Sequence, residues 1–138
     1  MLPLGDDVRE QMIAHAREQF PKECCGMLAG VDGKIVKVVR ATNSEDSEFR
    51  YRVDDRELLR FLHDIDDKGW DFLAVYHSHT RSEAYPSPTD VRLASNWPDP
   101  HYVLVSLENQ DDPVVRAFRI TDGEISEVPT GDDASASR

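Results

Sequence analysis

Basic residues and cysteines are the scarcest chemistry in this sequence. Sixteen lysines and arginines stand against 27 aspartates and glutamates, a formal charge of -11 at neutral pH. So acidic a chain repels phosphate backbones and offers no basic stripe along which DNA or RNA could lie, so nucleic acid is not an expected partner. The charge reads first as a solubility feature, with steering towards a basic partner face as the alternative. The only two cysteines, Cys24 and Cys25, are neighbours, and adjacent cysteines can bridge only with backbone strain. A disulfide staple is therefore absent from the expected fold, which suits a reducing cytoplasm. No apolar run is long enough to span a bilayer, and the N-terminal stretch lacks a basic segment followed by an apolar one. Neither membrane anchoring nor export is expected, and the expected location is cytoplasmic.

What is present fits one domain. A length of 138 residues can bury a single core, and 39 % hydrophobic content includes runs such as FLAVY and YVLVSL that can fill its centre. From Asp6 to Phe20, Val8, Met12, Ile13, Ala16 and Phe20 recur at spacings of three and four, predicting an amphipathic helix that Pro21 closes. CGMLAG and KIVKVVRAT, joined by the turn-forming DGK, predict a hairpin, and FRYRV (49–53) predicts a third strand. Leu58, Leu59, Leu62 and Ile65 share a face of a second helix from Asp54 to Lys68, with Gly69 at its stop. DFLAVYHSH reads as a central strand covered on both sides, followed by a short helix from Pro88 to about Ser95. HYVLVSL, VVRAFRI and EISEV then complete the order α-β-β-β-α-β-α-β-β-β. The expected class is α/β: a single domain over 1–128 with a mixed sheet flanked by helices, and a disordered acidic, polar tail over 129–138.

The stretch YHSHTRSEAYPSPTD, Tyr76 to Asp90, carries the chemistry. Side chains alternate faces along a strand, so His77 and His79 point one way and Ser78 the other, which lets two imidazoles reach one small ion. Zinc at a hydrolytic site takes three protein ligands, commonly histidine and carboxylate at about 2.0–2.2 Å, and keeps a fourth position for water. Asp90, eleven residues beyond His79, can supply the third ligand if the chain folds back over the strand end. A bound water would have its pKa lowered from about 15.7 towards roughly 7. A purely structural reading competes: Ser87 suits a helix N-cap, Pro88 the first helical position and Asp90 the acidic place of a capping box. Each residue alone has that ordinary explanation. The combination His-x-His, seven residues, Ser, two residues, Asp is far more restrictive than its parts.

In this combination the chain resembles the JAMM metalloprotease family, also called MPN+, Mov34 or JAB, with His77, Ser78, His79, Ser87 and Asp90 matching its motif residue for residue. PKECCGMLAG is similar to the family's upstream P-x-E-x-C-G segment, which assigns the family's glutamate to Glu23 and makes Cys25 the small buried residue before Gly26. The resemblance runs from the first helix to beyond YVLVSL. It implies an MPN/JAB1 fold of cytidine-deaminase-like architecture, a curved mixed β-sheet with helices on its faces. It also implies one Zn2+ per chain held by His77, His79 and Asp90, with Glu23 as general base and then general acid. Ser87 would donate a hydrogen bond to the oxyanion. Within the family, YHSHTRSEAYPSPTDVRLA followed by PDPHYVLVSL is most similar to small enzymes acting on ubiquitin-like sulfur carriers. These cut a cysteine from the carrier's C-terminal Gly-Gly-Cys, so the implied partner is such a carrier and the implied role is cysteine biosynthesis. Two alternatives stand beside this one: an isopeptidase removing ubiquitin-like modifiers from lysine, and a non-catalytic MPN interaction scaffold. The compact chain leaves little room for the inserted loops of polyubiquitin-specific members, and scaffold members have usually lost ligands that are all kept here.

Arg81, Ser82, Glu83 and Tyr85 occupy the loop between the ligands and are expected to border the mouth of the site, with Arg81 and Tyr85 as substrate-binding candidates. A Gly-Gly tail would enter extended, adding a strand to an exposed sheet edge. Cys24 and Cys25 read as buried packing residues, since no second cysteine pair completes a structural zinc site. His15 and His63 lie on predicted helices without a partner at metal spacing and read as surface residues. His101 reads as the start of a strand, and Trp97 follows the short helix. The oligomeric state is left open, a homodimer included.

Overall fold

A computed structural model of the chain describes residues 1–97 and 99–131. Its elements run α1 (Asp6–Gln19), β1 (Cys25–Val31), β2 (Lys34–Ala41), α2 (Asp55–Lys68), β3 (Asp71–His79), α3 (Pro88–Ala94), β4 (His101–Ser106), β5 (Val114–Thr121) and β6 (Glu124–Val128). The six strands form one mixed sheet in the order β2-β1-β3-β4-β5-β6, in which only β3 and β4 are parallel. The α/β class and the mixed sheet are as expected. Among the described residues no helix is long and apolar enough to cross a membrane.

Strand alternation decides what each face of the sheet carries. On one face, Leu28, Ala74, Tyr76, Val103, Val105 and Ala117 pack with Met12 and Ala16 of α1. On the other, Cys25, Met27 and Ala29 pack with Phe61 and Ile65 of α2, and Val75 and Tyr102 pack with Ala94 of α3. His77 and His79, odd-numbered like Val75, therefore emerge on the α2/α3 face at the C-terminal end of β3. Ser78 turns to the α1 face, where its Oγ accepts the Cys24 N–H at 2.8 Å.

Helix boundaries follow local chemistry. The Asp54 side chain accepts the Glu57 N–H at 3.1 Å and opens α2, and Gly69, at φ 69°, closes it in the left-handed conformation that glycine tolerates. At Gly26 the constraint is space: a Cβ there would collide with the Tyr76 ring and the Val39 carbonyl. The small residue after Cys25 is thus required by the tyrosine that precedes the first histidine of the motif.

Two expectations are corrected. FRYRV is not a strand: its only ladder contact is an isolated bridge between Asn43 and Val53. Asn43 Oδ1 accepts the Arg52 N–H at 3.0 Å and its Nδ2 donates to the Arg50 carbonyl at 2.9 Å, so a side chain takes up the hydrogen bonds a neighbouring strand would have made. His15 is not a surface residue, being 4 % exposed with its Nδ1 2.7 Å from the Tyr76 hydroxyl. It lies on the same helix face as Met12 and Ala16, and a buried partner offsets the cost of hiding it. Of the stretch expected as a tail, Pro129 and Thr130 are described, and their carbonyls accept the Leu2 and Leu4 N–H groups, both at 2.9 Å. Residues 132–138 of that expected tail lie outside the described residues. His63 is exposed, as expected.

Gly26→Ala is expected to destabilise the fold by at least about 1–3 kcal/mol, the range for overpacking a filled core. Urea unfolding of the variant against the wild type measures this, and an unchanged midpoint would show that β1 and β3 can part without cost.

Candidate metal centre

β3 ends in two imidazoles, and α3 brings a carboxylate to meet them. Ser87 caps α3 in a reciprocal box: its Oγ accepts the Asp90 N–H at 3.1 Å, and Asp90 Oδ2 accepts the Ser87 N–H at 2.9 Å. The capping geometry thereby aims the Asp90 carboxylate back over the strand end. There Oδ2 lies 3.0 Å from His79 Nε2 and Oδ1 lies 3.2 Å from His77 Nε2. The second approach is close but not aligned as a hydrogen bond, and His77 Nε2 counts among the buried atoms without a partner. The cap that opens α3 thus also sets the Asp90 carboxylate against both imidazoles.

One ligand atom from each of His77, His79 and Asp90 can be chosen so that all three lie within 4.8 Å of one another, and all three residues are buried. A tetrahedral ion with bonds of 2.0–2.2 Å spaces its ligand atoms about 3.4 Å apart, close to the 3.2 Å and 3.0 Å at which His77 and His79 approach Asp90. An unpartnered buried imidazole nitrogen and a carboxylate facing it are the donor set a divalent ion satisfies. The residues therefore fit a metal ion.

Glu23 stands beside this cluster. Beyond β1 the Ser78 N–H donates to the Cys24 carbonyl at 3.1 Å, and the Glu23 N–H donates to the Ser47 carbonyl at 2.9 Å. Glu23 is 5 % exposed, and its Oε1 has no hydrogen-bond partner. Burial pushes its carboxyl up to about 8; His79 opposes that shift and the charge of Asp90 adds to it. Burial would also raise Asp90, yet the two histidines and the Ser87 N–H outweigh it and hold that carboxyl well below the usual carboxylate range. His77 is lowered by its burial, whereas His79 is raised, because Asp90 and the Glu83 carbonyl outweigh its burial. Two carboxyls in one site are thus pushed in opposite directions, the usual basis for dividing acid–base roles.

The remaining candidates separate. Arg81 is exposed and pairs with Glu48 at 2.8 Å, tying the ligand loop to the 44–53 segment. Tyr85, 43 % exposed, packs edge-on against Phe118 with Arg116 over its ring. His101 opens β4 opposite Ala74, at the other end of the parallel pair from His79, and does not approach the centre. Trp97 packs against Phe72, and its carbonyl accepts the Tyr102 hydroxyl at 2.7 Å. Both cysteines are free and buried, with burial pushing Cys24 up to about 11 and Cys25 higher still, as packing residues rather than nucleophiles. The sequence reading missed Tyr51, whose ring stacks on His77 with centroids 4.1 Å apart and planes 18° apart. No local pattern signals it: Phe49, Tyr51 and Val53 alternate as on a strand, yet Phe49 is 72 % exposed.

The elevated Glu23 sets a pH dependence. Its folded pKa, about 8, lies above the ordinary 4.5, so the folded chain holds a proton that the unfolded chain has lost. Stability is therefore fully present below the lower value and is lost as pH rises towards 8. In chelator-treated protein, Glu23→Gln is expected to remove part of that loss, so the difference in thermal midpoint between variant and wild type grows from pH 4 to pH 8. Parallel pH profiles would contradict a buried, unpartnered Glu23.

The chain is similar over most of its length to known proteins. The model for prokaryotic homologs of the JAB domain matches residues 5–121. The CysO-cysteine peptidase of Mycobacterium tuberculosis is 42 % identical over 131 residues, 94 % of this chain and 89 % of that protein. A desampylase of Haloferax volcanii is 37 % identical over 116 residues, covering 79 % of this chain and 83 % of that one. A solution structure of a Desulfitobacterium hafniense protein superposes with a TM-score of 0.83 at 33 % identity, covering 93 % of this chain and 90 % of that one. With the family model matching most of its length and a relative 42 % identical over 94 % of it, the chain belongs to the family of prokaryotic homologues of the JAB domain.

Proposed function

We propose that the protein is a zinc-dependent hydrolase of the amide bond that follows the C-terminal Gly-Gly of a ubiquitin-like sulfur carrier, releasing cysteine. The observation that carries the reading is the buried His77, His79 and Asp90 cluster with the buried Glu23 carboxyl beside it, its Oε1 without a hydrogen-bond partner. A zinc ion held by those three residues would supply Lewis-acid polarisation and a water acidified to near neutrality. Glu23 removes one proton from the attacking water as its oxygen bonds to the glycine carbonyl carbon, and passes that proton to the cysteine amine as the C–N bond breaks. Ser87 accepts from the Asp90 N–H through a lone pair, which leaves its hydroxyl hydrogen free to donate to the oxyanion. Arg81 and Tyr85, exposed near the loop between the ligands, are the residues we assign to holding the carrier tail.

The resemblance to a CysO-cysteine peptidase supports cysteine release, and the desampylase among the relatives supports the alternative, cleavage of an isopeptide bond to lysine. The same five residues serve either bond. A scaffold without catalysis is disfavoured by the retention of every ligand and of the base.

Glu23→Ala is expected to keep one zinc per chain while losing turnover by about 10²–10⁴-fold, and Asp90→Ala to lose the metal itself. Ser87→Ala should lower kcat by about 10²–10³-fold. Metal analysis with cysteine-release kinetics on a carrier ending Gly-Gly-Cys checks all three. Equal rates on a lysine isopeptide substrate would overturn the cysteine-releasing assignment, and a wild type inert with zinc bound would overturn the enzyme reading.

A further inference from the structure

The two imidazoles that face Asp90 are braced in different ways. His79 presents Nε2 to Asp90 and has its other nitrogen, Nδ1, 2.9 Å from the Glu83 carbonyl. A metal-binding histidine ordinarily has this second hydrogen bond, which fixes the ring's tautomer and orientation. His77 does not. Its Nε2 faces Asp90 Oδ1, and its Nδ1 is buried with no hydrogen-bond partner. What it has instead is the ring of Tyr51 lying nearly flat on its face, 4.1 Å between centroids and 18° between planes.

We infer that Tyr51 is a positioning residue for His77, its ring fixing by stacking the orientation that the Glu83 carbonyl fixes in His79 by a hydrogen bond. The inference rests on reading His77, His79 and Asp90 as metal ligands. An imidazole with no polar brace can turn about its last side-chain bond and carry Nε2 away from the ion, and a flat aromatic neighbour restricts that turn. An imidazole donating electron density to a cation also becomes electron-poor, which favours contact with the electron-rich face of a phenol.

Tyr51 is itself held for this task. Asn43 Nδ2 donates to the carbonyl of Arg50 at 2.9 Å, and Asn43 Oδ1 accepts the N–H of Arg52 at 3.0 Å. The Arg52 carbonyl in turn accepts the Ser44 N–H at 2.8 Å. Both flanks of Tyr51 are therefore clamped. The same Asn43 Nδ2 donates to the Glu23 carbonyl at 3.1 Å, and the Ser47 carbonyl accepts the Glu23 N–H. One segment, 43–53, thus braces a ligand and the base together.

The test is zinc affinity, measured by competition with a chromophoric chelator, in the full chain and in Tyr51→Phe and Tyr51→Leu, with the thermal midpoint of each chelator-treated protein recorded alongside. Tyr51→Leu is expected to bind zinc at least about tenfold more weakly, the low end of the loss when a ligand's brace is removed. Tyr51→Phe, which keeps the ring, should stay within about threefold of wild type. A merely structural role would lower the thermal midpoint and leave affinity unmoved, and that result overturns the inference. Equal losses in Phe and Leu also overturn it, by assigning the effect to the hydroxyl. If Tyr51→Leu does not fold, Asn43→Ser gives the same readout: weakened zinc binding supports the inference and unchanged binding overturns it. A wild type that binds no zinc would instead bring down the metal-site reading, and this inference with it.

Discussion

The antiparallel pairing of β1 with β3 is the constraint on which the site depends. It sets Cys25 opposite His77 and continues past the strand end through the Ser78 N–H to the Cys24 carbonyl and the Cys24 N–H to Ser78 Oγ. A slip of one residue would send His77 and His79 to the α1 face and carry Glu23 away from them. The pairing also explains the middle serine of His-Ser-His, whose hydroxyl fixes the backbone beside Glu23 from the face the histidines do not use. Gly26, one residue further along β1, lets Tyr76 sit close enough for the register to hold.

On this frame the fold concentrates its electrostatic tension in one place. A carboxylate, two imidazoles and a second carboxyl are all buried at the end of β3. Asp90 has enough partners to stay charged, whereas Glu23 has none and is pushed towards its protonated form. Elsewhere polar groups are satisfied in ordinary ways: His15 by Tyr76, Thr130 by Arg9, and Tyr102 by the Trp97 carbonyl. Unsatisfied burial of this kind costs stability and persists where chemistry needs it.

Much of this was legible in the sequence because it is written in short-range patterns. The caps of α2, the alternation of His77 and His79, and the Ser87–Asp90 box are all decided by residues within four positions of one another. Helix cap and candidate ligand set prove compatible, because the Asp90 carboxylate closes the box and faces both imidazoles. What could not be read depends on partners far along the chain. His15 and Tyr76 are 61 residues apart, and only the latter's burial explains the former's. FRYRV alternates like a strand, but Asn43, a loop residue, takes its hydrogen bonds, and Phe49 is left 72 % exposed. The same side chain places Tyr51 on His77, a contact no local pattern announces.

On the function we propose, one metal ion, held by His77, His79 and Asp90 beside Glu23, makes this chain a hydrolase. The most direct test is to strip the purified protein of metal and follow cleavage of a Gly-Gly-Cys carrier as zinc is returned in measured steps. Activity is expected to be absent at the start, to rise in proportion to zinc and to level off at one ion per chain. Full activity without metal, or zinc bound at one per chain with no cleavage of any Gly-Gly amide, would contradict it.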